Sequence, residues 1–216
     1  MSCFRRILIF SQTGGAKMIV DRILNLMIFF ITMVCFGSCF RRDGEWNIAS
    51  GIKALRFFTI LSNLVCAFAA LAVVFTLRKN HLPYGIWLWK YIGTAAVTIT
   101  LLTVVVFLGP TIGYGNVLAG RDFYLHIVCP FLAILSFCFL ERQYTLTFYT
   151  SLWGVVPVIL YGTLYLYKVI LCREEARWED FYGFNRNGNW QLSFAAMAGG
   201  AVLAGVLLCI LTRVFD

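Results

Sequence analysis

Residues 54–77 read ALRFFTILSNLVCAFAALAVVFTL and contain a single charged side chain, that of Arg56. A helix needs about 20 apolar residues to cross the roughly 30 Å hydrocarbon core of a bilayer. This stretch is long enough and apolar enough to do so. It therefore predicts a transmembrane helix rather than a strand or a helix of a soluble core.

Five more apolar stretches of similar length lie on either side of this one. The six predicted spans cover residues 23–40, 54–77, 91–108, 123–140, 146–167 and 192–211. Apolar residues make up 61% of the 216 residues and charged residues only 13%, with a mean hydropathy of +0.82. Soluble domains are far less apolar. We therefore predict an all-α integral membrane protein, a multi-pass bundle of six transmembrane helices that forms a single domain over residues 1–216.

Six spans place both termini on the same side of the membrane. Nine Lys and Arg residues fall on the side of the termini and nine on the opposite side, so the positive-inside rule does not choose an orientation. We favour cytoplasmic termini. Residues 1–17 lack a long apolar segment followed by a cleavage site, so we expect no removable leader. Five tryptophans near span ends are expected at the membrane interfaces: Trp46, Trp87, Trp89, Trp178 and Trp190.

The charge and the cysteines exclude several classes of function. The net charge is +8, but the basic residues are scattered between the apolar stretches and are typical of helix-end anchors, so no nucleic acid partner is expected. Most of the eight cysteines fall inside predicted spans, where cysteine behaves as a small hydrophobic residue. Without a CxxC or Cys/His cluster, we predict neither a metal site nor a cofactor. Bis-His haem ligation needs two histidines at membrane depth, and only His126 lies there.

The candidate functional residues lie in the second and fourth spans. Arg56, Thr59 and Asn63 follow a spacing that puts them on one helical face, with Ser62 beside them. His126 is an ionisable group inside a span, which is costly unless it serves a function or is paired. The alternative for His126 is a neutral imidazole that bridges two helices. The alternative for Thr59, when it is considered alone, is a structural role.

The topology brings these two spans into register. Both run in the same direction and begin on the side opposite the termini. Thr59 lies five residues after Ala54 and His126 lies three after Phe123, which corresponds to depths of about 8 and 5 Å. If the two helices are neighbours, the hydroxyl and the imidazole can meet. Such a pair can transfer an acyl group, with Asn63 or Ser62 as a possible oxyanion donor.

Two local segments resemble the androgen-induced protein family. Residues 55–64, LRFFTILSNL, are similar to that family's Thr-containing second helix, and residues 124–132, YLHIVCPFL, to its helix with His followed by Pro. The resemblance is closer to the bacterial-type relatives than to the animal members. It implies an intramembrane threonine hydrolase that cleaves fatty-acid esters of hydroxy fatty acids. Thr59 would be the nucleophile and His126 the general base.

We therefore expect a hydrolase of lipid esters whose partner is a membrane lipid or lipid-ester substrate. Two alternatives stay open, a small-molecule transporter and a non-catalytic membrane scaffold. A transporter favours broken helices or an inverted repeat, and neither is clear in the sequence. Arg56 is expected near the substrate because of its helical spacing alone. The sequence does not specify an oligomeric state.

Overall fold

The computed structural model describes residues 14–78, 81–185 and 188–214, and most of these residues are helical. Within these residues, six helices are long and apolar enough to cross a membrane. The predicted all-α, six-helix fold is therefore confirmed, and it indicates a multi-pass membrane protein. The expectation of no leader concerns residues 1–17, of which residues 1–13 lie outside the described part. The cytoplasmic location of the termini stays a prediction.

In the described residues the chain forms eight helices, a short 3₁₀ turn at Glu174–Ala176 and one small hairpin. The helices are α1 (Gly14–Ser38), α2 (Ile48–Ala54), α3 (Phe58–Thr76), α4 (Tyr84–Ile112), α5 (Tyr114–Val117), α6 (Arg121–Leu140), α7 (Phe148–Leu171) and α8 (Trp190–Val214). The hairpin pairs β1 (Arg41–Arg42) with β2 (Glu45–Trp46) between α1 and α2. Helices α1, α3, α4, α6, α7 and α8 correspond to the six predicted spans. Helix α1 begins nine residues before its predicted start, and α4 seven before, because helices continue past the apolar stretch into polar residues.

The core of the bundle is formed by α1, α3, α4 and α6, with α7 and α8 packed on α4. Small residues allow the closest approaches. A Cβ atom added at Gly93 of α4 would lie 2.7 Å from Cys66 Cα of α3, so these two backbones are in direct contact. Near the end of α8, Gly205 packs against the backbone of Ser151 in the same way. Gly199, earlier in α8, makes no such contact and is exposed.

Prolines mark irregular turns in three of the spanning helices. The turn Tyr124–Val128 of α6 is a π-helical turn that ends just before Pro130. Pro130 has no N–H for the usual bond to the carbonyl four residues earlier, so the helix widens there. A similar π-helical turn, Val104–Leu108, precedes Pro110 in α4, and a 3₁₀ turn precedes Pro157 in α7.

A buried polar cluster lies on the side of the termini. Lys90 is fully buried and its Nζ lies 3.6 Å from Glu141 Oε1, while its ammonium also donates to Asn25 Oδ1. The Asn25 amide donates in turn to Glu141 and to Asp21, both of which are buried. The sequence had suggested that Lys90 anchors a helix end at the headgroups, and this is wrong because α4 begins two turns before it. Trp87, expected at the interface, is likewise enclosed and donates to the Glu141 carbonyl at 2.8 Å.

Candidate active site

Thr59 and His126 are in direct contact near the membrane face opposite the termini. The distance between Thr59 Oγ1 and His126 Nε2 is 3.2 Å, although the residues are 67 positions apart in the sequence. Thr59 lies in the first turn of α3 and His126 in the first π-helical turn of α6. The two helices run in the same direction, so residues at similar distances from their starts reach the same depth.

A third group fixes the orientation of the imidazole. His126 Nδ1 lies 2.7 Å from the carbonyl oxygen of Val117, in the short helix α5. A carbonyl can only accept a hydrogen bond, so Nδ1 carries the proton and Nε2 is left to accept from the Thr59 hydroxyl. The α5 segment reaches inward between Gly113 and Gly120, whose φ angles of 94° and 56° are accessible mainly to glycine. Hydroxyl, imidazole and carbonyl therefore form a chain of two hydrogen bonds in which Nε2 is the acceptor that faces Thr59.

Asn63 ties together the two helices that carry the pair. Its Nδ2 donates to the Thr59 carbonyl at 2.8 Å and to the Leu125 carbonyl at 3.0 Å. The Leu125 carbonyl is available because, in the π-helical turn, the N–H of Cys129 bonds to Tyr124 instead. Both N–H groups of the Asn63 amide are thus used within the protein.

Ser62 and Arg56 lie beside the pair but contact other groups. The Ser62 hydroxyl is 2.9 Å from Thr100 Oγ1 of α4 and 3.2 Å from the Thr59 carbonyl. The Arg56 guanidinium lies 5.5 Å from the centre of the Trp178 ring, and the Arg56 carbonyl accepts from the Tyr161 hydroxyl at 2.7 Å. Of the five residues predicted from sequence, the structure brings Thr59 and His126 together. Asn63 and Ser62 bond to the Thr59 carbonyl, and the Arg56 side chain contacts Trp178 instead.

The segment between α7 and α8 covers Thr59 with an aromatic cluster. Asp180 organises it by accepting from the Tyr165 hydroxyl and from the backbone N–H groups of Phe184 and Asn185, at 2.8 to 2.9 Å. The fold of this segment places the Tyr182 hydroxyl over the start of α3, where it accepts from the Phe58 N–H at 3.1 Å.

Tyr182 also contacts the proposed nucleophile. Burial raises the pKa of its phenol to about 12, and hydrogen bonds with the Phe58 backbone, Tyr161 and Thr59 oppose this rise. The phenol is consequently neutral near pH 7. The sequence alone assigns Tyr182 no role, because the conformation of the connecting segment determines where its hydroxyl lies.

A cavity of about 550 Å³ opens from Thr59 into the bundle between α4, α7 and α8. Its walls are mostly apolar and include the π-helical turn of α4 together with Ile99 and Val158, which are both buried. The polar residues that line it include Thr59, Tyr161 and Tyr182. His126 is 8% exposed and is not among the described residues that line the cavity, so the imidazole lies behind the threonine.

The outer wall of this cavity reaches the surface of the bundle. Val106 and Phe107 of α4 and Leu192 and Leu203 of α8 line the cavity and are 50 to 70% exposed. These residues lie in spanning helices, so the rim faces the region that lipid occupies. The arrangement provides a nucleophile at the end of an apolar cavity with a lateral opening.

Comparison with known proteins adds no relative. No family model, no curated protein and no solved structure matches the chain. The chemistry open to this site is therefore set by the geometry around Thr59. The contact between the Val117 carbonyl and His126 could not be predicted from the sequence, because every residue has a backbone carbonyl.

Proposed function

We propose that this protein is an intramembrane hydrolase of lipid esters, with Thr59 as nucleophile and His126 as general base. The observation that carries the proposal is the relay from the Thr59 hydroxyl through His126 to the Val117 carbonyl, at 3.2 and 2.7 Å. A weak nucleophile such as threonine needs an adjacent, oriented base, and this arrangement supplies one. The resemblance of the two short segments to the androgen-induced protein family supports the same assignment.

The reaction follows from the protonation states. As Thr59 Oγ1 attacks the ester carbonyl carbon, its proton moves to His126 Nε2, and the imidazolium is held by its bond to Val117. Collapse of the tetrahedral intermediate breaks the bond to the alcohol, which takes the proton from His126. Water then attacks the acyl-threonine, His126 removes its proton, and the fatty acid leaves as Thr59 is regenerated.

The cavity supports an acyl chain as the group that is bound. Its volume of about 550 Å³ lies within the range of about 300–1,000 Å³ found for small-molecule sites. Its walls offer few hydrogen-bonding groups away from Thr59. The exposed rim between α4 and α8 gives a lipid ester a path from the bilayer to the nucleophile. A fatty-acid ester of a hydroxy fatty acid, which the resemblance implies, has both the ester and the long apolar chain that this site fits.

A fluorophosphonate probe tests the proposal directly. Purified protein in detergent is treated with the probe, and the modified residue is identified by mass spectrometry. We expect modification of Thr59, and none in His126→Ala protein, because the hydroxyl then lacks its base. Thr98→Ala is the matched control, since the Thr98 hydroxyl is buried but bonds to its own helix at Thr94. If the extent of labelling is unchanged by substitution of Thr59 and by substitution of His126, the proposed hydrolase function is wrong.

The transporter and scaffold alternatives have less support. A transporter needs polar groups along a path through the midplane. The buried Lys90–Glu141 pair lies on the opposite side from Thr59 and is bonded to Asn25 within the bundle. A scaffold needs no oriented base beside a hydroxyl. Neither alternative explains why a buried histidine is held in the tautomer that faces Thr59.

A further inference from the structure

The first turn of α3 holds two backbone N–H groups that the helix itself does not use. Helix N-termini leave their first N–H groups without intrahelical partners. Phe57, at the N-cap, has no side chain that could bond to them. The N–H groups of Ile60 and Leu61 bond to the Phe57 carbonyl, which leaves those of Phe58 and Thr59.

The Tyr182 oxygen occupies the place in front of these groups. It accepts from the Phe58 N–H at 3.1 Å and interacts with both the backbone and the side chain of Thr59. An oxygen that accepts from the Phe58 N–H, in front of the Thr59 N–H and beside the Thr59 hydroxyl, has surroundings similar to those of an oxyanion in acyl transfer. The partial positive charge of the helix start adds to the attraction for a negative oxygen.

Other donors near Thr59 are already engaged. The Asn63 amide donates to two backbone carbonyls, and the Ser62 hydroxyl is shared between Thr100 and the Thr59 carbonyl. The Tyr161 hydroxyl donates to the Arg56 carbonyl. The backbone N–H groups of Phe58 and Thr59 are thus the hydrogen-bond donors that become available to a substrate when it displaces the neutral Tyr182 hydroxyl.

We propose that the Phe58 and Thr59 N–H groups form the oxyanion hole, and that the Tyr182 hydroxyl occupies it in the resting protein until a substrate carbonyl displaces it. The inference rests on the hydrolase function proposed above. The exchange involves no covalent step at Tyr182, since one hydrogen-bond acceptor replaces another. Asp180 anchors the segment on both sides of Tyr182, so rotation of this side chain suffices and the segment stays closed.

The first test is the variant Tyr182→Phe. It keeps the ring that packs against Tyr165 and Phe181 and removes only the hydroxyl. We expect kcat/KM for a medium-chain ester, and the rate of fluorophosphonate labelling at Thr59, to rise about fivefold. This is the factor that corresponds to one net hydrogen bond lost from the resting state. Slower reaction would mean that the hydroxyl itself donates to the oxyanion, and an unchanged rate that it merely caps α3. Either result overturns the proposal.

The control is Tyr165→Phe, in the same cluster. Its hydroxyl binds Asp180 and the Tyr182 N–H and does not reach α3. We expect no acceleration in this variant. Acceleration in both variants would assign the effect to loosening of the segment and overturn the specific role of the Tyr182 hydroxyl. Equal melting temperatures of the two variants show that the comparison is between folded proteins.

A second measurement does not depend on turnover. An alkyl trifluoromethyl ketone forms a hemiketal with an active hydroxyl and so places an oxyanion beside it. In the protein labelled with ¹⁵N and held in nanodiscs, we expect the amide protons of Phe58 and Thr59 to shift downfield on its addition. A shift at Asn63 Nδ2 instead would return the oxyanion role to that residue. If the ketone leaves the wild-type spectrum unchanged and no probe labels Thr59, the hydrolase proposal falls, and this inference with it.

Discussion

The side chain of Asn63 and the carbonyl of Leu125 form a hydrogen bond of 3.0 Å that joins α3 to α6 next to the proposed catalytic pair. Asn63→Ala leaves that buried carbonyl without its partner. We expect the free energy of unfolding to fall by about 1–3 kcal/mol, measured by thermal melting in detergent, with a parallel loss of kcat. Gln191→Ala, at an exposed position within α8, is the control. A loss of kcat without any loss of stability would instead identify Asn63 as an oxyanion donor.

The mutual dependence of Thr59 and His126 gives a kinetic prediction. Thr59→Ala and His126→Ala should each abolish ester hydrolysis, and the double variant should be little worse than either, because the two groups act as one unit. Melting temperatures should stay close to that of the parent. Thr59→Ser keeps the hydroxyl and should retain activity, altered by its freer rotamer. If Thr59→Ala protein hydrolyses a medium-chain ester as fast as the parent, the mechanism is wrong.

The position of the Val117 carbonyl depends on the turn at Gly120. Its φ of 56° and ψ of −124° are strained for any residue with a Cβ. Gly120→Ala should therefore shift α5 and misalign His126, with a loss of kcat of about 10- to 100-fold, since a displacement near 1 Å can have that effect. Gly115→Ala, in α5 itself and with open space around its Cα, should leave the rate unchanged. Equal rates in the two variants would show that the Val117 contact is dispensable.

The cavity makes chain length testable. Ala196 lines it, while the adjacent and equally exposed Ala195 is not among its lining residues. Ala196→Phe fills part of the cavity, so the ratio of long-chain to short-chain ester hydrolysis should fall about tenfold or more. Ala195→Phe adds the same ring outside the cavity and should not alter the ratio. A ratio unaffected by Ala196→Phe would place the acyl chain elsewhere.

Substitution of Lys90 in the buried Lys90–Glu141 pair should strongly lower the free energy of unfolding and should leave the catalytic step unaffected. Lys90→Met leaves the Glu141 carboxylate buried without its ammonium partner, which typically costs about 3–5 kcal/mol. The Glu141→Gln change in the same protein should restore part of this loss, because the unpaired charge is then removed. Lys53→Met, at an exposed site, should have little effect. A Lys90→Met protein as stable as the parent would show that the ammonium contributes nothing to the fold.

The sequence predicted those features of the fold that depend on one simple quantity, such as the length of an apolar stretch or the number of residues from a helix start. Apolar length located all six spanning helices, and counting residues from the helix starts placed Thr59 and His126 at one depth, as their contact confirms. Lys90 was misassigned because the same apolar length underestimates how far α4 extends into polar residues. The roles of Val117 and Tyr182 depend on the paths of two connecting segments. Those paths are set by glycine dihedrals and by the Asp180 hydrogen bonds, which no periodic pattern encodes.

The exposed rim between α4 and α8 has a consequence for how activity must be measured. A substrate that enters from the bilayer is dissolved in the membrane. The concentration that determines its rate of hydrolysis is therefore its mole fraction among the lipids and not its amount per volume of solution. Adding inert phospholipid at a constant total amount of ester should then slow hydrolysis, as though substrate had been withdrawn. A water-soluble ester that reached Thr59 through the aqueous phase would be insensitive to such surface dilution.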